Sequence, residues 1–350
     1  MGLLSLRPLA VALAVTIAAA IGALLVAGCG ARGDSRGGSR GKNATLVLDF
    51  TPNAVHAGIY SALARGYDRD QGVRLHVVAP SASTDSIKLL RTGRANFAIL
   101  DIHDLAIARQ RGEDIVGLMS IVERPLAALI AAPAIRSPRD LAGKVVGVTG
   151  VPSDNAVLHS IVAGAGGDPR AVKTVTIGFN AVASLLSARI AAATSFWNDE
   201  GVTLTRRRPG FHVFHVESFG GPDYPELVLC AAGASLHADP SLARGVVRAL
   251  VRCYGVTLSD PRASAADLER LDPSLVSAEL RALSGSLRAP DGKVGKLDLR
   301  ELQAWAPWEA REGIVSRQPD VSAMFDPGFV AGAGPAARSG GGRRGVAVSG

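Results

Sequence analysis

Four runs hold most of the side chains able to bind or react. The first reads Asp49-Phe50-Thr51-Pro52-Asn53-Ala54-Val55-His56-Ala57-Gly58-Ile59-Tyr60. It sets an acid, an aromatic, an amide and an imidazole close together, with a phenol at its end. The second, Asp101-Ile102-His103-Asp104, places acids on both sides of another imidazole. The third, Gly150-Val151-Pro152-Ser153-Asp154-Asn155, presents free backbone N–H groups at a helix start, a seat for an anion or a carbonyl oxygen. The fourth, Ser195-Phe196-Trp197-Asn198-Asp199-Glu200, offers a flat indole face beside the directional polar groups of Asn198 and Glu200. Together these types describe a pocket for a small planar polar ligand.

The binding candidates are Asp49, Phe50, Asn53, His56 and Tyr60 from the first run and Asp101 and His103 from the second. Ser153 and Asp154 come from the third, and Trp197, Asn198 and Glu200 from the fourth. Each has a plainer duty as well. Asp49, Asn53 and Ser153 suit helix caps. His56 and His103 suit buried structural histidines, and Trp197 a plug between lobes. Asp154 and Glu200 suit the positive end of a helix dipole. The seven histidines form no HxxxH or HExxH spacing and no cysteine has a CxxC partner, so neither a metal nor a cofactor is expected.

The elements that must position these runs alternate. Ala44–Phe50, Val73–Val78 and Phe97–Leu100 read as apolar strands, with helices between them, followed by Ile115–Val122 and Leu126–Ala131. The pattern restarts after Pro133 with strands at Val145–Val148, Val172–Ile177, Ala191–Ser195, Phe211–Val216 and Leu227–Ala232. Beyond Pro240 the chain turns helical. Such alternation makes α/β layers with mostly parallel sheets, and two units predict two lobes with a cleft between them. All four runs follow strands, on the side where open α/β sheets bind ligands.

Charge narrows the function further. The 38 Lys and Arg exceed the 31 Asp and Glu by seven. The excess lies in Arg7, in the stretch from Gly30 to Lys42, and in Arg338, Arg343 and Arg344, which leaves the body from Asn43 to Val330 with zero formal net charge. Nucleic-acid binding by the fold is therefore excluded, since it needs surplus cations on the folded surface. Leu9–Val26 is an apolar run ending in Leu25-Val26-Ala27-Gly28-Cys29. Residues 1–29 read as a lipoprotein signal peptide, with Cys29 as the lipid-accepting residue, rather than a transmembrane anchor. Residues 30–42 read as a flexible basic linker and 331–350 as a disordered tail. The body would then lie on the extracytoplasmic face of the cell membrane. Cys230 and Cys253 could pair there, but both sit in apolar runs and read better as buried thiols.

The motifs, in this order, resemble the thiamine pyrimidine synthase-like branch of the periplasmic binding proteins. The likeness covers roughly Ala44 to Arg262 and rests on LDFTPNAVHAGIY (Leu48–Tyr60), LLRTGRANFAILDIHDLAIARQRG (Leu89–Gly112), DLAGKVVGVTG (Asp140–Gly150) and SFWNDEGV (Ser195–Val202). It implies a two-lobed periplasmic-binding-protein type II fold. Residues 43–128 plus 233–330 would form the first lobe and 129–232 the second, with hinge crossovers near Leu126–Ala131 and Leu229–Ala232. It further implies a monomeric solute receptor serving an ABC permease and ATPase, its ligand an aminopyrimidine thiamine precursor or, as in other members, a flavin or a different small molecule. Trp197 or Phe50 would stack on the ring, and Glu200, Asp49 or Asn198 would accept from an amino group.

The resemblance also carries a rival, an enzyme that builds the pyrimidine from pyridoxal phosphate on a lysine and from one of its own histidines, with iron. His103 falls on that histidine's motif and His56 on the other motif histidine. The lysine position, four before His103, is Ile99, and the comparable cysteine-rich region reads ELVLCAAGA. Without the lysine the first step has no nucleophile, so a binding protein without catalytic residues is the expectation. A ligand sensor of the same fold would use the same pocket.

Overall fold

The computed structural model describes residues 41–82 and 84–333. The signal segment with Cys29, most of the basic linker and the tail beyond Ala333 lie outside the described residues. Among the described residues, no helix is long and apolar enough to cross a membrane.

Ten strands form two five-stranded sheets. They are β1 (Lys42–Val47), β2 (Val73–Val78), β3 (Phe97–Asp101), β4 (Ile115–Val122), β5 (Ala127–Ala131), β6 (Val145–Val148), β7 (Lys173–Thr176), β8 (Ala192–Phe196), β9 (His212–His215) and β10 (Leu227–Ala232). The first sheet runs β2-β1-β3-β10-β4 and the second β7-β6-β8-β5-β9. Burial follows position. The central strands FAILD and LVLCAA are almost wholly buried, and so is the edge strand β4 (IVGLMSIV), whose Gly117 bridges to Phe325, whereas the edge strand β2 alternates buried and exposed, and β7 (KTVT) is exposed throughout. Continuous apolar runs need covering on both faces, and an edge does not.

Each sheet is parallel except for one strand. β10 runs antiparallel to β3 and β4, and β5 runs antiparallel to β8 and β9. These are the strands that follow the two crossings between sheets, so they enter from the opposite end. This corrects the lobe boundaries expected from sequence. Leu227–Ala232 belongs to the first sheet, not to the second lobe, and Ala127–Ala131 belongs to the second sheet. The crossings are the short connections before them, Glu123–Leu126 and the segment ending at Glu226. Runs as apolar as LVLCAA gain most when buried at a sheet centre, and a hinge would leave them half covered. The carboxylate of Glu226 accepts hydrogen bonds from Leu126 N–H and from Ala127 N–H (2.9 Å), and so fastens one crossing to the other.

Helices Ala57–Ala64 and Pro240–Ser259 cover one face of the first sheet, over Leu46, Leu48, Phe97 and Ile99. Helix Leu299–Arg311 sends Trp305 and Trp308 into a second core that includes β3, β10 and helix Asp154–Gly164. Cys230 and Cys253 are free and buried. The last of the described residues, Val330 and Ala333 among them, still pack on the first core.

Gly58 owes its identity to packing. A Cβ there would lie 2.6 Å from the ring of the buried Tyr254, whose hydroxyl donates to Val55 O at 2.8 Å. Overpacking of this kind costs about 1–3 kcal/mol. Gly58→Ala is expected to lower the urea midpoint accordingly, and an unchanged midpoint would show that Tyr254 can move aside.

Candidate functional site

The four runs emerge where sequence placed them, past the carboxyl ends of β1, β3, β6 and β8. They converge on one cavity of about 860 Å³, mouth included, between the two sheets. Its polar wall holds Asp49, Asp101, Asp104, Asp154, Asp199 and Glu200, with Ser153, Thr194 and Ser195. Its apolar wall includes Phe50, Phe179, Phe196, Ile99 and Leu227. Among the described residues, no lysine, arginine or histidine lines it.

The first run is a scaffold built around one exposed carboxylate. Asn53 is extended and caps the next turn by accepting from Val55 N–H at 2.9 Å. Its own backbone N–H donates to His56 Nδ1 at 3.2 Å. Because Nδ1 accepts, the proton sits on Nε2, which donates to Asp49 Oδ1 at 2.9 Å. His56 is wholly buried, so its role is to aim Asp49 into the cavity. Asn53 Nδ2 also donates to Asp199 Oδ2 at 3.0 Å, which joins the first run to the fourth across the cleft. Tyr60 packs against the first core, outside the lining.

In the third run the helix start differs from expectation. The Gly150 N–H and the hydroxyls of Thr149 and Thr194 all donate to Asp154, each at 2.8 Å. The carboxylate thus occupies a donor that an anionic ligand would have used. Ser153 remains on the cavity wall.

The fourth run winds into a single wide turn, Trp197–Gly201. That turn directs Asp199 and Glu200 into the cavity and Trp197 away from it. The indole N–H donates to Pro125 O at 3.0 Å, beside the crossing, and the ring lies against His215. Asn198 is buried outside the lining, with neither amide atom partnered among the described residues. His103, too, lies behind the cavity rather than in it. Its Nδ1 is hydrogen-bonded to Glu309, and its ring is packed among Tyr224, Trp305 and Trp308.

Of the candidates, Asp49, Phe50, Asp101, Ser153, Asp154 and Glu200 therefore meet at the cavity, and Asn53, His56, Tyr60, His103, Trp197 and Asn198 stand behind or beside it. Sequence reasoning passed over Phe179, which meets Phe50 edge to face at 4.3 Å between centroids. It follows β7, and an aromatic just past a strand in a chain with 5% aromatics was the available signal. Asp104 and Asp199 sat inside the quoted runs, but their direction depends on helical phase.

Burial dominates the electrostatics. It raises Glu200 to about 8 and Asp199 to about 6, the latter against a lowering hydrogen bond from Asn53. Burial also raises Glu279, which accepts from Ala54 N–H beneath the first run, to about 8. Asp154 and Asp104 are raised for the same reason. An empty cleft therefore holds protons that a ligand with N–H groups or positive charge would displace.

This two-lobed arrangement, with a cleft at the strand ends, is the fold of the periplasmic binding proteins. The alkanesulfonate-binding protein SsuA from Xanthomonas axonopodis pv. citri superposes with a TM-score of 0.66 at 15% identity, covering 81% of this chain and 98% of that one. Residues 53–264 match the NMT1/THI5-like family, and the chain belongs to it. A formylaminopyrimidine-binding protein of Halalkalibacterium halodurans is 31% identical over 219 residues, 62% of this chain and 66% of that protein, just under two thirds of its length. A 4-amino-5-hydroxymethyl-2-methylpyrimidine phosphate synthase of Legionella pneumophila is 24% identical over 229 residues, 62% of this chain and 70% of that one.

The raised carboxyl pKa values set the pH dependence of the ligand-free protein. The native state holds protons that the unfolded state releases, so this stabilisation is full below about pH 4 and is lost as pH rises through about 8. The urea midpoint is expected to fall between about pH 5 and pH 8, and Glu200→Gln to flatten that slope. An equally steep slope in the variant would remove Glu200 from this account.

Proposed function

We propose that the protein is an extracytoplasmic solute receptor for an ABC importer, tethered through a lipidated Cys29, and that it captures an unphosphorylated aminopyrimidine. The carrying observation is the composition of the cavity, six carboxyl groups and no cation, between the rings of Phe50 and Phe179. An aminopyrimidine presents an exocyclic amino group and ring nitrogens on one edge and two apolar faces. A protonated carboxyl, the form favoured by raising Glu200 to about 8, can take that edge with two parallel hydrogen bonds, donating O–H to the ring nitrogen and accepting from the amino N–H, and phenyl rings can cover the faces. Glu200 Oε2 accepts from Phe196 N–H at 3.1 Å, and such an edge would add a partner to this buried carboxyl. Sulfonates and phosphate esters would instead meet like charge at close range. The formylaminopyrimidine-binding relative supports this ligand class.

The synthase reading has weaker support. Among the described residues no lysine lines the cavity to offer an amine for a Schiff base. His103 is packed behind the wall against Glu309 rather than facing the cleft.

Thermal-shift screening against aminopyrimidines, flavins, sulfonates and amino acids tests the ligand. An aminopyrimidine is expected to raise Tm and its phosphate ester is not. A response confined to flavins or sulfonates would overturn the assignment. For the anchor, full-length Cys29→Ala is expected to leave the detergent phase or to keep its signal segment. A cleaved variant that still partitions with detergent would count against lipidation.

A further inference from the structure

Behind the cavity wall lies a second polar cluster that shares Asp101 with the solute cavity. Asp101 closes β3, and its Oδ1 accepts from His103 N–H at 2.7 Å. Glu226 comes from the return crossing, more than a hundred residues later, and its carboxyl lies against that of Asp101. His103 and Glu226 are both 0% exposed. One oxygen of Glu226 holds Leu126 and Ala127 N–H, and the other, Oε1, has no partner among the described residues. His103 Nε2 has none either. One ligand atom from each of Asp101, His103 and Glu226 can be chosen so that all three lie within 4.8 Å of one another.

We propose that Asp101, His103 and Glu226 form a binding site for one first-row divalent cation, seated behind the solute cavity at the crossing between the lobes.

Three features carry it. The first is the orphaned pair. A buried imidazole nitrogen and a buried carboxylate oxygen are expensive without a partner. The second is the arrangement of the histidine. With Nδ1 held by Glu309, Nε2 is the nitrogen left to face an ion, and a carboxylate behind a ligating imidazole fixes its tautomer and raises its basicity. The third is charge. Asp101, Glu226 and Glu309 surround a single imidazole. A divalent ion offsets two of those charges. One nitrogen and two carboxylate oxygens suit Zn²⁺, Mn²⁺ or Fe²⁺. Ligands at about 2.1 Å from an ion are at most about 4.2 Å apart, so a closing movement of about half an ångström completes the site.

The spacing explains why no motif announced it. The ligands sit on the end of β3 and on the far crossing, and only folding joins them. The ion would lock Glu226, which fastens the two crossings, to Asp101, which faces the solute. Asp101 also marks the entry path, through the open cleft.

Detergent-solubilised full-length protein, stripped with EDTA and dialysed against Zn²⁺ or Mn²⁺, is expected to retain one equivalent by elemental analysis. A hundredfold excess of Zn²⁺ over its Kd should raise Tm by about 5 °C. His103→Gln and Glu226→Gln should each lower retention at least tenfold and abolish the shift, with far-UV circular dichroism confirming that they fold. If either fails to fold, Co²⁺ added to the stripped wild type decides the matter: a d–d spectrum displaced by one equivalent of Zn²⁺ supports the site. No retention, equal retention in both folded variants, or a protonated-carboxyl infrared band that saturating Zn²⁺ leaves in place would overturn it. The last result would mean that Asp101 and Glu226 share a proton instead.

Discussion

Negative charge brought into a low-dielectric cleft without any cation is the constraint around which the molecule is built. Each strand end delivers at least one carboxyl group to the same cavity. Carboxylates that close cannot all ionise in a dry site. They stay protonated, accept from local donors, or wait for a partner, and the structure holds examples of the first two. Asp154 takes three donors from its own loop and β8, while Glu200 is raised far above an ordinary glutamate. A bound partner with N–H groups or positive charge is the third solution, and it would complete the cleft's charge balance.

Much of the polar chemistry of the first run serves to hold that balance in place. His56 looks like a candidate base or ligand when read along the chain. In the fold it bridges the backbone of Asn53 and the carboxylate of Asp49, with both nitrogens occupied. Asn53 spans to Asp199, and Ala54 reaches Glu279. A polar run this fully paired resists rearrangement, since breaking any link strands a buried group. Gly58 belongs to the same design, because the run must lie against Tyr254 for the loop to sit at this depth. The two crossings are treated likewise: Glu226 ties one to the other, and Trp197 anchors to Pro125 beside them.

The layers, the strand ends and the neutral body could be read from the sequence because they follow from local pattern. Alternating apolar runs and caps make strands and helices wherever they occur, and ligands gather at strand ends for topological reasons. The placement of the excess positive charge outside the body is likewise a property of the linear chain. The lobe boundaries resisted, because LVLCAA is as apolar as any hinge-flanking strand and its sheet is chosen by pairing with β3 and β4.

Which members of each run face the cleft was a tertiary matter. Asp199 and Glu200 point inward, and Trp197 outward, because the chain there makes one wide turn against the first run. Asp101 reaches the cavity while His103, two residues on, is drawn backward by Glu309 from a helix near the other end of the chain. Sequence alone determined the family-bearing motifs, the α/β order and the acids at each strand end. Only the folded chain decided which of them are walls and which are braces, because a side chain's direction at a strand end is set by partners that lie up to two hundred residues away.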